Sequence, residues 1–521
     1  MNRGPTLRLA ILLALAAAPA VHADEATLRA EVEALRGSIE AQRAQLAAQA
    51  ALLEQQQKQL EALTQRLEQP TVAPQEAPKV TLANARPTIA SADGSSSIAF
   101  RANVQLDGAL YGESPAGPLA TDYRRGSVGG TPNRENTGAR DFSDGLYFRR
   151  ARFGVEGRLA RDFNYRLLLE LGGSGTEGPT RINDAWIAYT GFAPFTIQLG
   201  AFSPPSNMDD GTTPEDIVFI ERASAAELSR SLGGADGRIG LGVRGGGPRW
   251  MSALTLTNRT VNDPEVFDSQ LAVVGRAGFL VATGSDYNVH AGVSGTYVLS
   301  PPDQGADAAL RNPLRFRDRP EIRVDSTRLI DTGLIDASHA SVLGLEFGAN
   351  WKNVYLQGEH FWFDVERRES AGLDDPSFKG YYAQGSWVLT GESRRYNPAT
   401  GSFQNPRPRQ PFASAGGFGA WELAARYSRM NLNHEAGLEG TAAIPGSVRG
   451  GDQSVLTLGV NWYVNANFKV MMNYLLIDVD RLNPAGPGNT QPFGAPPNTP
   501  PFGVQVGQDL DVFALRTQYS F

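Results

Sequence analysis

Asp511-Val-Phe-Ala-Leu-Arg-Thr-Gln-Tyr-Ser-Phe521 ends the sequence with a strict alternation of side chains. Successive side chains of a β-strand point to opposite faces, so one face of this stretch is largely apolar and the other is polar. The apolar face consists of Phe513, Leu515, Thr517, Tyr519 and Phe521. Such a strand fits between lipid on one side and water on the other. The stretch therefore predicts an outer-membrane β-barrel.

The same period of two begins at Ile98 and recurs along the rest of the chain, interrupted by turn-rich stretches such as 131–143, 301–313 and 397–417. The other predicted strands are 151–159, 165–171, 197–201, 239–243, 271–279, 291–299, 343–349, 354–362, 383–389, 421–427, 458–464 and 468–476. At about 50 residues for each pair of strands with its connections, residues 97–521 give close to 16 strands. We predict an all-β fold, a 16-stranded antiparallel transmembrane β-barrel. Its alternative, a soluble protein of stacked sheets, would bury the apolar faces against a second sheet.

Composition excludes several functional classes. The 521 residues contain no cysteine, which excludes disulfides, thiol catalysis and cysteine-bound metals. The formal net charge of −7 argues against a nucleic-acid partner, which would require a basic domain. An outer-membrane enzyme such as a lipase would need a Ser or Asp nucleophile beside a His, but His360 shares its face with the apolar Leu356 and Trp362. We predict no catalytic residue, no metal and no cofactor.

The residues before the barrel are of three kinds. Residues 1–23 have the form of a cleaved signal peptide, with Arg3, Arg8, an apolar stretch at 9–18 and Val21-His22-Ala23. That apolar stretch is short for a membrane anchor, which needs about 20 residues. Residues 24–69 are predicted to form a periplasmic coiled-coil helix, and residues 70–96 a Pro/Ala-rich linker. The coiled-coil positions follow a 4,3 spacing: Leu28, Val32, Leu35, Ile39, Gln42, Leu46, Gln49, Leu53, Gln56, Leu60, Leu63 and Leu67. Because so narrow an apolar strip needs a partner, we expect self-association.

The positive charges of the barrel are almost all arginine. Only five lysines occur among the 48 basic residues. Since an arginine in contact with lipid at mid-membrane would cost about 2–4 kcal/mol, alternation places the strand arginines in the lumen. These predicted pore-lining residues are Arg101, Arg150, Arg152, Arg158, Arg166, Arg238, Arg276, Arg426 and Arg516. They would attract anions, or they would brace the wall by pairing with glutamates such as Glu156, Glu170, Glu346, Glu359 and Glu422.

Residues 203–237 form a long acidic loop after a predicted strand. If the loop folds inward, it narrows the pore and sets carboxylates opposite the arginines, producing a transverse field. The alternative is an external loop with ordinary surface acids. The predicted constriction residues are Asp209, Asp210, Glu215, Asp216, Glu221 and Arg222.

Several motifs, in order along the barrel, resemble the phosphate-selective porin O and P family. They are Tyr147-Phe-Arg-Arg-Ala151, Phe153-Gly-Val-Glu-Gly157, Asp162-Phe-Asn-Tyr165, Asp184-Ala-Trp-Ile-Ala-Tyr-Thr-Gly-Phe192, Gly380-Tyr-Tyr-Ala-Gln384, Leu389-Thr-Gly-Glu392, Gly419-Ala-Trp-Glu-Leu423 and Leu458-Gly-Val-Asn-Trp-Tyr463. The resemblance spans nearly the whole barrel. The signal, the coiled coil and the linker lie outside it.

The resemblance implies a homotrimer of 16-stranded barrels in the outer-membrane lipid, with the third external loop folded inside each channel. It also implies an arginine ladder that guides anions, to which Arg149 and Arg150 would belong. Alternation, however, puts these two neighbours on opposite faces of a regular strand, so both can be lumenal only at its rim. Phosphate-selecting members carry lysines in the constriction loop, whereas residues 203–237 contain none.

We therefore expect an outer-membrane porin for passive diffusion of small anions, with phosphate or polyphosphate among the candidate solutes. Organic anions, a general porin without phosphate selectivity and a weak cation preference are left open by the lysine-free loop. A separate hypothesis is a structural tether, in which the coiled coil contacts the cell wall and the barrel anchors it.

Overall fold

The computed structural model describes residues 25–68, 77–114, 142–173, 180–262, 268–302, 313–368, 372–413, 416–484 and 502–521. The chain divides into two compact units, Met1–Glu76 and Ala77–Phe521. The predicted signal peptide, residues 1–23, lies outside the described residues, as do Asp24 and the linker residues 70–76.

The first unit contains one described helix, α1, at Glu25–Glu68. Residues with high helix propensity dominate its sequence, which contains no proline. From Leu28 to Leu63, the side chains of the predicted coiled-coil positions are exposed in the single chain, for example Leu46 at 63% and Leu60 at 69%. Within the described residues, no helix is both long enough and apolar enough to cross a membrane.

The second unit is a closed antiparallel barrel of sixteen strands, counted within the described residues. They are β1 Ser97–Glu113, β2 Gly145–Leu159, β3 Phe163–Glu170, β4 Arg181–Phe192, β5 Phe195–Phe202, β6 Arg238–Gly246, β7 Trp250–Thr260, β8 Leu271–Thr283, β9 Tyr287–Ser300, β10 Ile335–Trp351, β11 Val354–Arg367, β12 Ser377–Val388, β13 Ala420–His434, β14 Val448–Tyr463, β15 Phe468–Asp480 and β16 Leu510–Ser520. Each strand pairs with its neighbours in sequence, and β16 closes the barrel by pairing with β1. The predicted fold class is confirmed.

Alternation decides which way each side chain points. On β16, Phe513 and Leu515 are exposed on the outer surface, while Val512, Ala514 and Arg516 are buried inside. The closing register sets Arg516 opposite Asp107 of β1. An apolar exterior and a polar interior therefore follow from the period of two.

The connections differ between the two ends of the barrel. At one end, here named the turn end, five connections have only two or three residues: 160–162, 193–194, 247–249, 284–286 and 352–353. The opposite end, the loop end, has longer connections, among them 203–237 and 301–334. Two short strand pairs accompany the second of these, Pro313–Leu314 with β10 and Arg317–Asp318 with Ile330–Asp331.

One connection at the turn end breaks this rule. Residues 389–419, named segment 389–419, join β12 to β13 and contain a small hairpin, Arg395–Asn397 with Ser402–Gln404. Arg394 and Phe403 are buried, so the segment folds into the barrel. The turn end therefore has one long connection, and the contacts that hold it inside the barrel come from distant strands.

The predicted linker is not extended throughout. Lys79–Ala83 and Arg86–Ala90 form an antiparallel hairpin that continues onto β1. Its turn residues, Asn84 and Ala85, both have positive φ, as two-residue hairpin turns of type I′ require. Arg86 donates from Nε to the carbonyl oxygen of Phe100 at 3.1 Å, which fastens the hairpin to the barrel.

Gly154 of β2 is required by the close approach of β3. A Cβ atom there would lie 2.1 Å from the carbonyl oxygen of Leu167, closer than any side chain tolerates. We expect Gly154→Ala to destabilise the barrel by about 1–3 kcal/mol or more, as overpacking does. The measurement is the temperature at which the folded band disappears in semi-native gel electrophoresis.

Gly295→Ala on β9 is the matched control, since its Cβ would lie 3.6 Å from the nearest atom, the carbonyl oxygen of Val342. Equal melting of both variants would contradict the steric account of Gly154.

Candidate functional site

Loop 203–237 lies inside the barrel. It contains two helices, α2 at Met208–Gly211 and α3 at Ser224–Gly233. Helix α3 contacts β8, β9, β11, β12 and β13, and its apolar side chains are buried against that part of the wall. The loop therefore packs against one side of the lumen.

The wall holds the first half of the loop through buried polar groups. The backbone N–H groups of Met208 and Asp209 donate to the carboxylate of Glu359 at 2.7 and 3.0 Å. Glu359 also accepts from the Tyr382 hydroxyl at 2.6 Å. Because one buried carboxylate satisfies two backbone donors of the loop, Glu359 fixes the position of α2.

The middle of the loop is held by β14 and β15. Asn473 accepts from the backbone N–H of Ile220 at 2.8 Å, and Asn461 donates to the carbonyl oxygen of Val218 at 2.8 Å. Lys469 donates from Nζ to the carbonyl oxygen of Ile217 at 2.7 Å. The run 217–220 is therefore bonded along its backbone to the wall.

Glu221 is the centre of a buried ion cluster between loop and wall. Its carboxylate lies 2.6 Å from Nε of Arg149 and 3.0 Å from Nη2 of Arg516, which also pairs with Asp107 at 2.6 Å. Burial alone would raise the pKa of Glu221, but Arg149 and Arg516 outweigh it and hold this pKa well below its usual range. Glu221 is therefore charged at neutral pH and stabilises the infolded loop.

A β-bulge turns both arginines of the Phe-Arg-Arg-Ala motif inward. The register shifts so that Gln105 of β1 faces Arg150 while Leu106 faces Phe148, which leaves Arg149 as the extra residue. Arg149 and Arg150 are both buried. The alternation rule, which placed them on opposite faces, is wrong here because the strand is not regular.

Segment 389–419 reaches the loop from the turn end. Ser402 donates to the carbonyl oxygen of Gly211 at 3.0 Å, and Asn405 donates to that of Glu215 at 2.7 Å. Arg394 holds the segment to β13 through Glu422, at 2.7 and 2.8 Å. The loop is thus contacted from the turn end as well as from the wall.

Residues 313–334 approach the same loop from the loop end. Arg323 pairs with Glu227 of α3 at 2.7 Å, and Ser428 donates to Glu321 at 2.6 Å. Although burial would raise it, the pKa of Glu227 lies at about 2 because of Arg230 and Arg323. The apolar side chains of Phe316, Leu329 and Ile330 join one hydrophobic cluster with α3 and the wall. That part of the lumen is filled.

A cavity of about 320 Å³ lies between loop 203–237 and strands β1–β7. Among the described residues its charged lining consists of seven arginines and four carboxylates: Arg101, Arg150, Arg152, Arg166, Arg222, Arg230 and Arg244, with Asp184, Asp210, Glu215 and Asp236. The lining therefore has an excess of three positive charges.

Most of these arginines have a carboxylate partner. The pairs are Arg101 with Glu156 at 3.2 Å, Arg152 with Glu170 at 2.6 Å, Arg166 with Glu156 at 2.8 Å, Arg222 with Asp209 at 3.1 Å and Arg230 with Asp210 at 2.7 Å. Arg150 and Arg244 form no ion pair with any described residue. Arg150 donates from Nη1 to Gln105 at 2.7 Å and its buried Nε has no acceptor, while Arg244 is exposed to the lumen.

The predicted site residues fall into two groups. Arg101, Arg150, Arg152, Arg166, Asp210, Glu215 and Arg222 line the cavity. The others do not line it. Arg149, Arg276, Arg426 and Arg516 lie in buried ion pairs with Glu221, Glu346, Glu321 and Asp107 respectively, and Arg238 donates to the carbonyl oxygen of Gly234 at 2.9 Å. Arg158 is exposed near the turn end of β2.

Among the remaining loop acids, Asp209 pairs with Arg222, Glu221 holds the ion cluster, and Asp216 accepts from the backbone N–H of Asn405 at 3.0 Å. Four charged residues that line the cavity are not among the predicted site residues: Arg230 and Asp236 of the loop, and Asp184 and Arg244 of the wall. Arg244 could have been predicted, because it is the next inward-facing position after Gly242, one residue beyond the predicted strand 239–243. Within the described ranges, no group of three His, Cys, Asp or Glu side chains could hold a metal ion.

A family model covers most of the chain. The phosphate-selective porin O and P model matches residues 124–493. Porin O of Pseudomonas aeruginosa is 26% identical over 381 residues, which are 70% of this chain and 83% of that protein. An uncharacterized protein of Caulobacter vibrioides is 27% identical over 354 residues, 66% of this chain and 65% of that protein.

The similar solved structures have low TM-scores and low sequence identity to this chain. The anion-selective porin from Comamonas acidovorans has a TM-score of 0.45 and 12% identity, covering 82% of this chain and 100% of its own. OmpT, an outer membrane protein of Vibrio cholerae, has a TM-score of 0.44 and 10% identity, covering 82% of this chain and 98% of its own.

Glu359→Gln tests how the loop is held. The amide cannot accept from both backbone N–H groups, and leaving one buried N–H group without an acceptor costs about 1–3 kcal/mol. We expect loop 203–237 to move transiently into the cavity, so single-channel recordings should show brief closures and a lower mean conductance. The control is Glu366→Gln, an exposed residue near the loop end of the same strand. Closures of equal frequency in both variants would refute the anchoring role.

Proposed function

The chain belongs to the phosphate-selective porin O and P family, and from this premise we propose that it conducts small anions by passive diffusion past loop 203–237. As a member of this family, the protein is an outer-membrane porin with a membrane-embedded barrel. It is a channel and not an enzyme. Under the proposal, the cavity between the loop and strands β1–β7 is the constriction of that channel.

The observation that carries this proposal is the excess of arginine on the cavity lining. Seven guanidinium groups face four carboxylates, and two of the seven, Arg150 and Arg244, have no carboxylate partner among the described residues. Charge of one sign in a narrow space with low-dielectric walls concentrates ions of the opposite sign. Rings of arginine at a pore constriction favour anions for this reason.

Phosphate is one candidate solute within this proposal. Guanidinium groups bind phosphate and carboxylate alike through paired N–H donors, so arginine does not by itself choose between them. Loop 203–237 has no lysine, and its cavity-lining carboxylates Asp210, Glu215 and Asp236 would repel a multiply charged anion. We therefore propose anion preference without exclusive selection of phosphate.

Arg150→Gln combined with Arg244→Gln tests the proposal. Each lost charge removes about 1 kcal/mol of attraction at close range in water, a factor of about five, so losing both should lower the ratio of chloride to potassium permeability about 30-fold. The measurement is the reversal potential of a planar bilayer in a KCl gradient. Phosphate added at millimolar concentration, as a competitor of the chloride current, measures phosphate binding.

Arg429→Gln is the matched control, because Arg429 lies on the outer face of β13 and pairs there with Asp452. An unchanged reversal potential in the double variant would contradict the role of Arg150 and Arg244. A wild-type channel that prefers potassium would contradict the proposed function as a whole.

We also propose that the porin is a homotrimer and that α1 is a periplasmic coiled coil that joins its subunits. Exposed leucines along the helix support the coiled coil, since an apolar strip needs a partner to leave water. The second candidate role is a tether, in which α1 contacts the cell wall while the barrel anchors it in the outer membrane.

Deleting residues 24–69 separates the two roles of the helix. If the helix clamps subunits, we expect trimers to dissociate in semi-native gels at lower temperature, with the conductance of each barrel unchanged. If it is a tether, trimers should persist while attachment of the outer membrane to the cell wall is lost. The substitution Leu46→Lys with Leu53→Lys should reproduce a clamp defect, and trimers that survive it would exclude the clamp.

A further inference from the structure

The open cavity has two chemically different parts. Strands β1, β2 and β3 contribute Arg101, Arg150, Arg152 and Arg166. Strands β3 to β7 contribute, beside polar groups such as Asp184 and Arg244, a set of apolar side chains that we name the apolar strip: Leu168, Trp186, Phe202, Met251 and Ala253. A passage for small inorganic ions needs charged and polar groups, and it gains nothing from an apolar strip on its lining.

The apolar strip is built into inward positions of the wall. Trp186 lies between Asp184 and Ala188, which both point inward, and its ring centroid is 5.3 Å from Cζ of Arg166. Leu168, Phe202 and Met251 are more than nine-tenths buried, so they form a firm surface rather than mobile tips.

Space beside this strip is kept open by a glycine. Gly242 of β6 lines the cavity at an inward position. A Cβ atom there would lie 3.0 Å from Oγ1 of Thr255 and 3.4 Å from Cζ of Phe202. The ring of Phe202 therefore packs against the bare backbone of Gly242, and no side chain projects into the cavity from this position.

A cation without a carboxylate partner stands next to the strip. Arg244 follows Gly242 on the same face of β6 and forms no ion pair with any described residue. One guanidinium beside a flat apolar surface matches a molecule with one anionic group and one apolar body. Pockets that hold organic ligands combine apolar surface with placed polar groups, and they have volumes from roughly 300 Å³ upward.

We propose that the cavity selects organic carboxylates with an aromatic or other apolar body over inorganic anions and over short carboxylates. The carboxylate pairs with Arg244 or Arg150, and the body lies against Trp186, Phe202 and Met251. This inference rests on the proposed function, because it specifies the solute of the same anion channel.

The test is block of chloride current through the full-length porin in planar bilayers. Benzoate and acetate carry the same charge, so their half-blocking concentrations differ only through the ring. We expect benzoate to block at a concentration roughly tenfold lower than acetate, the lower end of what one apolar group contributes in a pocket. Inorganic phosphate, added separately, should require a higher concentration than benzoate.

Trp186→Ala should reduce the benzoate-to-acetate ratio to near one. Trp387→Ala is the matched control, since Trp387 is exposed on the outer face of β12 and should leave the ratio unchanged. Equal block by benzoate and acetate in the wild-type channel overturns the inference even if the Trp186 variant fails to assemble. A reversal potential that shows cation preference overturns the proposed function instead, so the two failures are distinguishable.

Discussion

The separation of side chains by a period of two is the constraint on which the rest of this structure depends. Each strand must present apolar groups to lipid, where an arginine at mid-membrane costs about 2–4 kcal/mol, so the charges of the barrel are driven inside. Arg516 on β16 and Phe513 three residues earlier show the rule on one strand. The interior then has to accommodate many charges in a confined volume.

Buried charges are stable only when they are paired and hydrogen-bonded, and this requirement organises the lumen. Glu221 joins loop 203–237 to Arg149 and Arg516, and Arg394 joins segment 389–419 to Glu422. On this side these charged groups form ion pairs, and apolar side chains pack around them. On the other side Arg244 has no described ion-pair partner and remains exposed, because water in the cavity supplies its solvation.

Fourteen of the sixteen strands could be predicted from the sequence, because their signal is local, whereas β4 and β7 were not predicted. Features that depend on contacts between distant residues were not predictable from it. The bulge at Arg149 arises from pairing with Gln105 and Leu106, and the inward course of segment 389–419 depends on Glu422 and on the loop carbonyl groups. The arginines on the cavity could be separated from those that brace the wall only once the inward course of loop 203–237 was known. Arg101 and Arg276 both have a carboxylate partner, but of these two only Arg101 lines the cavity.

Loop 203–237 and segment 389–419 enter the barrel from opposite ends and meet inside it. Neither belongs to the strands that face lipid. The barrel wall and the two segments inside it are therefore separate parts of the same chain. Insertions, deletions or substitutions within either segment can alter which solutes pass through the protein without changing the surface that contacts the membrane. Descendants of one such barrel could therefore diversify in solute while sharing a single assembly route.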